Sequence, residues 1–148
     1  MSIGIRGRAV ALAAAVSLLA AGTAGSRSVA ATAAASQALY TTAQAGAGSK
    51  AYATNCASCH GANLEGGVGP ALAGANLKTL SKNTHLTVHD LFTFMSQQMP
   101  MNAPASLPKD QYVAIMAYVL KFNGYPAGSK MLTYATASSS KMPVTSLK

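Results

Sequence analysis

The segment NCASCHG at residues 55–61 decides how this 148-residue chain is read. It holds Cys56 and Cys59, the only two cysteines, two residues apart, with His60 directly behind them. Upstream, Thr42–Asn55 is rich in small residues and free of proline, which predicts a helix with Gly48 and Tyr52 one turn apart on the same face. Glycine weakens a helix, so Gly48 points either to the close approach of another helix or to simple tolerance in an Ala-rich background. Downstream, residues 61–74 (GANLEGGVGPALAG) carry five glycines and Pro70 and read as a loop. Thr87 and Asp90 form a capping pair, followed by Val88, Leu91, Phe92 and Met95 at helical spacing. That helix ends at or before Pro100. Residues 99–107 (MPMNAPASL) form an extended loop. Pro108 opens a last helix with the stripe Tyr112, Ile115, Met116, Val119 and Leu120, stopped by Asn123 and Gly124. No segment alternates as a strand does, so the class is all-α. Residues 129–148 lack a period and read as a flexible C-terminal tail.

Residues 1–35 distort the bulk composition. Arg6 and Arg8 precede a short apolar stretch from Ala9 to Ala21, and small residues follow. This order is that of a secretory signal peptide, with the cut between Ala24 and Ala35, and it predicts a periplasmic protein. An uncleaved membrane anchor is the alternative, and membrane contact is expected only in that case. The whole chain has 11 Lys and Arg, 3 Asp and Glu, and 9% charged residues, against about 25% in an average globular protein. With a cut after Ala31 all three arginines leave with the leader. Eight lysines then face Glu65, Asp90 and Asp110, for a net charge of +5. Those lysines are scattered and accompany no run of aromatics, which argues against a nucleic-acid partner. The domain over 36–128 is small and has three Phe and no Trp. A chain of that size buries little of its own surface, which points to a large cofactor in the core.

The motif names the cofactor. Two cysteines at this spacing can each form a thioether with a vinyl group of haem, and the adjacent histidine is then held at the iron. A thioredoxin-like pair would need strands the sequence does not offer. Zinc would need further ligands at a fitting spacing. A plain disulfide is the remaining chemical alternative in an exported chain. The expected cofactor is one covalent haem c on Cys56 and Cys59 with His60 as axial ligand. Candidates for the opposite axial position are Met95, Met99, Met101, Met116, Met142, His85 and His89. Met95 and Met116 lie on apolar stripes, Met142 lies in the tail, and the two histidines flank a helix start. Met99 sits where a loop can present its sulfur, and Met101 is the next candidate. A thioether opposite histidine raises the reduction potential.

With these pieces in order, the chain resembles a class I c-type cytochrome, especially the short monohaem kind found beside periplasmic quinoprotein dehydrogenases. The resemblance runs from about Thr42 to Gly128. It is carried by Gly48 with Tyr52, NCASCHG at 55–61, GGVGPALAG at 66–74, MPMNAPASL at 99–107 and YVAIMAYVLKFNGYPAG at 112–128. It implies a cytochrome c-like fold of three core helices wrapped around one covalently bound haem. It further implies Met99 as the sixth ligand, the Pro70 carbonyl as acceptor of the His60 Nδ1 proton, and Gly48 packed against Tyr118. Ala105 departs from the pattern, standing where related loops have glycine. The function implied is one-electron transfer without bond chemistry, from a dehydrogenase, quinoprotein or other, to a terminal oxidase or another acceptor. Two alternatives remain: a haem sensor or enzyme with a labile sixth ligand, and a cytochrome subunit permanently bound to a dehydrogenase.

Overall fold

The computed structural model describes Met1 and residues 38–148, so the expected leader over 1–35 lies outside the described residues apart from its first position. Six helices follow in order: α1 (Thr42–Asn55), α2 (Ala57–His60), α3 (Gly74–Thr84), α4 (Val88–Gln98), α5 (Lys109–Phe122) and α6 (Tyr134–Ser139). Among the described residues there is no strand, only an isolated antiparallel bridge between Thr87 and Pro143. The class is all-α, as the periodicity predicts. None of the described helices is long and apolar enough to cross a membrane.

α1 and α5 form the most extensive helix pair. α1 starts on a capping box in which Thr41 Oγ1 accepts from the Gln44 amide and the Gln44 side chain accepts from the Thr41 amide. Its buried residues, Ala45, Gly48 and Tyr52, follow helical spacing. Two of the three are small, so the helix axis can come very close to its neighbour. A Cβ on Gly48 would overlap the backbone carbonyl of Ala114 on α5. The nearest neighbour of Gly48 is thus the Ala114 backbone, and the Tyr118 ring lies against Tyr52, centroids 5.3 Å apart. Backbone fills the crossing point itself, and the aromatic pair packs one turn along each helix.

All five residues of the α5 stripe are buried. On one side Tyr112, Met116 and Leu120 join Phe92 of α4 in the larger core cluster. On the other, Ile115 and Val119 pack with Tyr52 and Leu64. α4 carries the expected Thr87–Asp90 capping box and ends with Met99 as its C-cap. The Thr87 hydrogen bonds hold the Asp90 carboxyl below the usual carboxylate range. Because the folded-state pKa is lowered, this contribution is present above the unfolded value and is lost as pH falls through the folded one. Asp90→Asn should therefore cost roughly 0.5 kcal/mol near neutrality, limited by solvent screening. Denaturant titrations of both proteins should converge as the pH is taken below about 4.

Two segments depart from the sequence reading. Residues 74–84, with no element assigned, form α3, whose buried face is only Leu77 and Ser81. Residues 129–148, expected as a flexible tail, are folded onto the domain. Thr133 and Thr136 form a capping box for α6, and Leu132, Ala137 and Val144 are buried in the larger core cluster. The same segment straps the start of α4. The Val88 amide donates to Met142 O at 2.8 Å, the His89 amide to Ser140 O at 3.0 Å, and the Val144 amide to Leu86 O at 2.8 Å. Its apolar anchors fall at 132, 137 and 144, a spacing that fits neither helix nor strand, and so no periodicity marks it.

Candidate functional site

α1 delivers the cysteine–histidine segment. Its C-cap is Cys56, whose carbonyl accepts from the amides of Cys59 and His60, so that α2 is one tight turn. Burial pushes the Cys56 thiol up to about 11, with Cys59 nearby adding to the effect. The unmodified thiol therefore keeps its proton near neutrality, and the two cysteines are not joined.

The glycine loop then folds back beneath His60. The Tyr52 hydroxyl donates to Gly61 O at 2.7 Å, and burial holds its pKa above the ordinary tyrosine value. The Gly66 amide donates to His60 O at 2.9 Å and the Gly69 amide to Cys59 O at 2.8 Å. At Gly69 a Cβ would lie 2.7 Å from His60 Cε1, so only glycine lets the loop pass that close to the ring. The next residue places its carbonyl 2.8 Å from His60 Nδ1. A carbonyl can only accept, which puts the proton on Nδ1 and leaves the Nε2 lone pair free for a metal. His60 is buried, at 9% exposure. Further out, Asn123 Nδ2 donates to Leu72 O at 2.9 Å and ties the end of this loop to α5.

α4 and the loop after it supply the other segment. The Met99 amide donates to Met95 O, and the Met99 carbonyl accepts from the Tyr112 hydroxyl at 2.6 Å. Met99 is half-buried, and Met101 is 77% exposed. Ala105 has φ +57°, the left-handed region where glycine is easier, which fits the glycine that the resemblance leads one to expect there.

The two segments line one cleft of about 640 Å³, with Cys56, Cys59 and His60 from the first and Met99, Met101 and Leu107 from the second. The lining contains no Asp, Glu, Lys or Arg, as suits a large apolar ring. Its volume falls within the ~300–1,000 Å³ of cofactor sites. The donor set also fits haem c: two unpaired cysteines, an imidazole with one free nitrogen, and a thioether. The other axial candidates do not line this cleft. Met116 is fully buried, and Met95 and Met142 pack against the core. His85 is exposed beyond α3, and His89 Nδ1 bonds Ser138 O. A second, larger groove of about 740 Å³ lies along Lys50, Lys109 and Tyr134 and includes none of the cysteine–histidine segment. Among the described residues no cluster of three or more His, Cys, Asp or Glu is arranged for a metal ion.

Sequence reasoning missed Gly69, Tyr112 and Asn123 as parts of the site. Each acts through a contact between segments distant in the chain. Only the density of glycines around position 69 hinted at one of them.

Comparison with known proteins adds the following. Residues 43–119 match the family described as cytochrome c oxidase, cbb3-type, subunit III. Over 19 residues the chain is 90% identical to a cytochrome c-552 from Schinkia azotoformans, a stretch that makes up 13% of this chain and 36% of that protein. Among solved structures, the sulfane dehydrogenase SoxCD from Paracoccus pantotrophus aligns with a TM-score of 0.48 at 28% identity, covering 63% of this chain and 50% of the other.

Proposed function

The chain belongs to the family of cytochrome c domains described as cytochrome c oxidase, cbb3-type, subunit III, and on that premise we propose that it is a periplasmic carrier of single electrons. Its activity as a cytochrome c domain is haem-based electron transfer. In our reading Cys56 and Cys59 would hold one haem through thioethers, and His60 and Met99 would ligate its iron. Such a group supplies an iron that cycles between two states one electron apart. The observation that carries the reading is the single cleft lined by Cys56, Cys59, His60 and Met99.

The protein's own residues have distinct parts in this. Pro70 holds the Nδ1 proton of His60, fixing the ring and making Nε2 a stronger donor. The Met99 sulfur would ligate the iron and favour its reduced state, leaving no place there for a substrate. The lining would place no charged side chain beside the iron. A dehydrogenase, quinoprotein or other, is the proposed donor and a terminal oxidase the proposed acceptor, met through small transient interfaces. Export by the 1–35 leader puts the carrier in the periplasm.

A spectroelectrochemical titration with carbon monoxide as a probe tests the reading. The expected result is one reversible one-electron couple and no carbon monoxide binding to the reduced native protein. Ready binding would favour the sensor or enzyme with a labile sixth ligand.

A further inference from the structure

Residues 101–106 are all exposed, so between Met99 and Leu107, whose side chain packs against the core at the far end, the loop has little buried surface to order it. Segments with few buried contacts open at low free-energy cost. The ends of the loop meet at a single side chain. Tyr112 is 2% exposed, and its ring lies in the core cluster with Phe92 and Met116. Its hydroxyl donates to Met99 O at 2.6 Å and accepts from the Leu107 amide at 3.3 Å. Inside the loop the Ala105 amide reaches the same Met99 carbonyl at 3.3 Å, and the Ala103 amide reaches Pro100 O at 2.9 Å.

We propose that Tyr112 is the positioning residue for Met99: its buried hydroxyl closes both ends of the 99–107 loop and fixes the backbone from which the Met99 thioether projects. The inference rests on the reading of Met99 as the iron ligand. Tyr112 is suited to the part because it belongs to α5, which also packs along α1, the helix that leads into Cys56. One rigid helix thus sets the position of the cysteine–histidine segment and of the methionine loop together. Removing the hydroxyl leaves the Leu107 amide without its partner and the Met99 carbonyl with only the longer bond from Ala105. The ring stays in the core, so the loss falls on the loop.

The test uses the haem-loaded full chain as wild type, Tyr112→Phe and Met99→Ala, with imidazole as a competitor for the oxidised iron. Loss of the net stabilisation of one or two hydrogen bonds should make Tyr112→Phe bind imidazole about tenfold more tightly than wild type. Met99→Ala should bind it more tightly still. Amide hydrogen exchange supplies a second readout: Leu107 should be protected in wild type and exchange about tenfold faster in Tyr112→Phe. The wild-type measurement stands even if the variant fails to fold. An unprotected Leu107 amide in wild type, or imidazole affinity within about twofold of wild type in Tyr112→Phe while Met99→Ala is raised, overturns the clamp alone. Wild-type affinity in Met99→Ala removes the ligand reading, and the proposal with it.

Discussion

Met99→Ala should abolish the weak long-wavelength sulfur-to-iron band of the oxidised haem protein and lower its midpoint potential by on the order of 0.1–0.3 V, part of the ~0.8 V that axial ligation spans. The size follows from the chemistry of the ligand. A thioether is soft and stabilises the reduced iron, and the substitution leaves water or a harder donor in its place. The backbone of the loop should survive the change, because Tyr112 holds the Met99 carbonyl and not its side chain. Met101→Ala is the control. That side chain is 77% exposed, and its removal should leave both band and potential nearly intact. Potentiometry of the two variants against wild type separates them, and a reversal of the two results would move the ligand to Met101.

Gly48→Ala and Gly46→Ala should change stability in opposite directions although they lie two residues apart on α1. A Cβ at position 48 would overlap the Ala114 carbonyl, and neither backbone can yield without separating α1 from α5. Overpacking of that kind costs about 3 kcal/mol or more, a large share of the total stability of a small domain. At Gly46 an added Cβ meets nothing within 4 Å, and the position is exposed. Alanine there should stabilise by roughly 0.5–1 kcal/mol through helix propensity and a less free unfolded chain. Denaturant unfolding of the haem-loaded proteins measures both. Equal effects at the two positions would contradict the crossing.

The parts of this molecule that were legible in the sequence are the ones set by local chemistry. The Thr87–Asp90 capping box, the buried stripe of α5 and the stop at Asn123 follow from neighbouring residues, and the structure has all three. Contacts between distant segments were not legible. The strap from Leu132 to Val144 is held by backbone bonds to residues 86–89 and by isolated apolar anchors, neither of which leaves a period. Close approach of another helix was one of two readings of Gly48, and the neighbour it meets is a carbonyl; backbone has no sequence signature. Within the site, the order of cysteine, cysteine and histidine was readable because the chemistry demands it. The supports of the site were not. Gly69 beneath the His60 ring and Tyr112 at the neck of the methionine loop depend on where the chain returns in space.

The central claim is that the cleft between NCASCHG and the methionine loop holds a haem bonded to the chain. Intact mass of the protein, produced with its leader in a host that matures c-type cytochromes, tests this most directly. The account predicts the mass of the cleaved polypeptide plus one haem, retained after denaturation because both thioethers survive it. A mass equal to the polypeptide alone, or two hydrogens lighter from a Cys56–Cys59 disulfide, would contradict it.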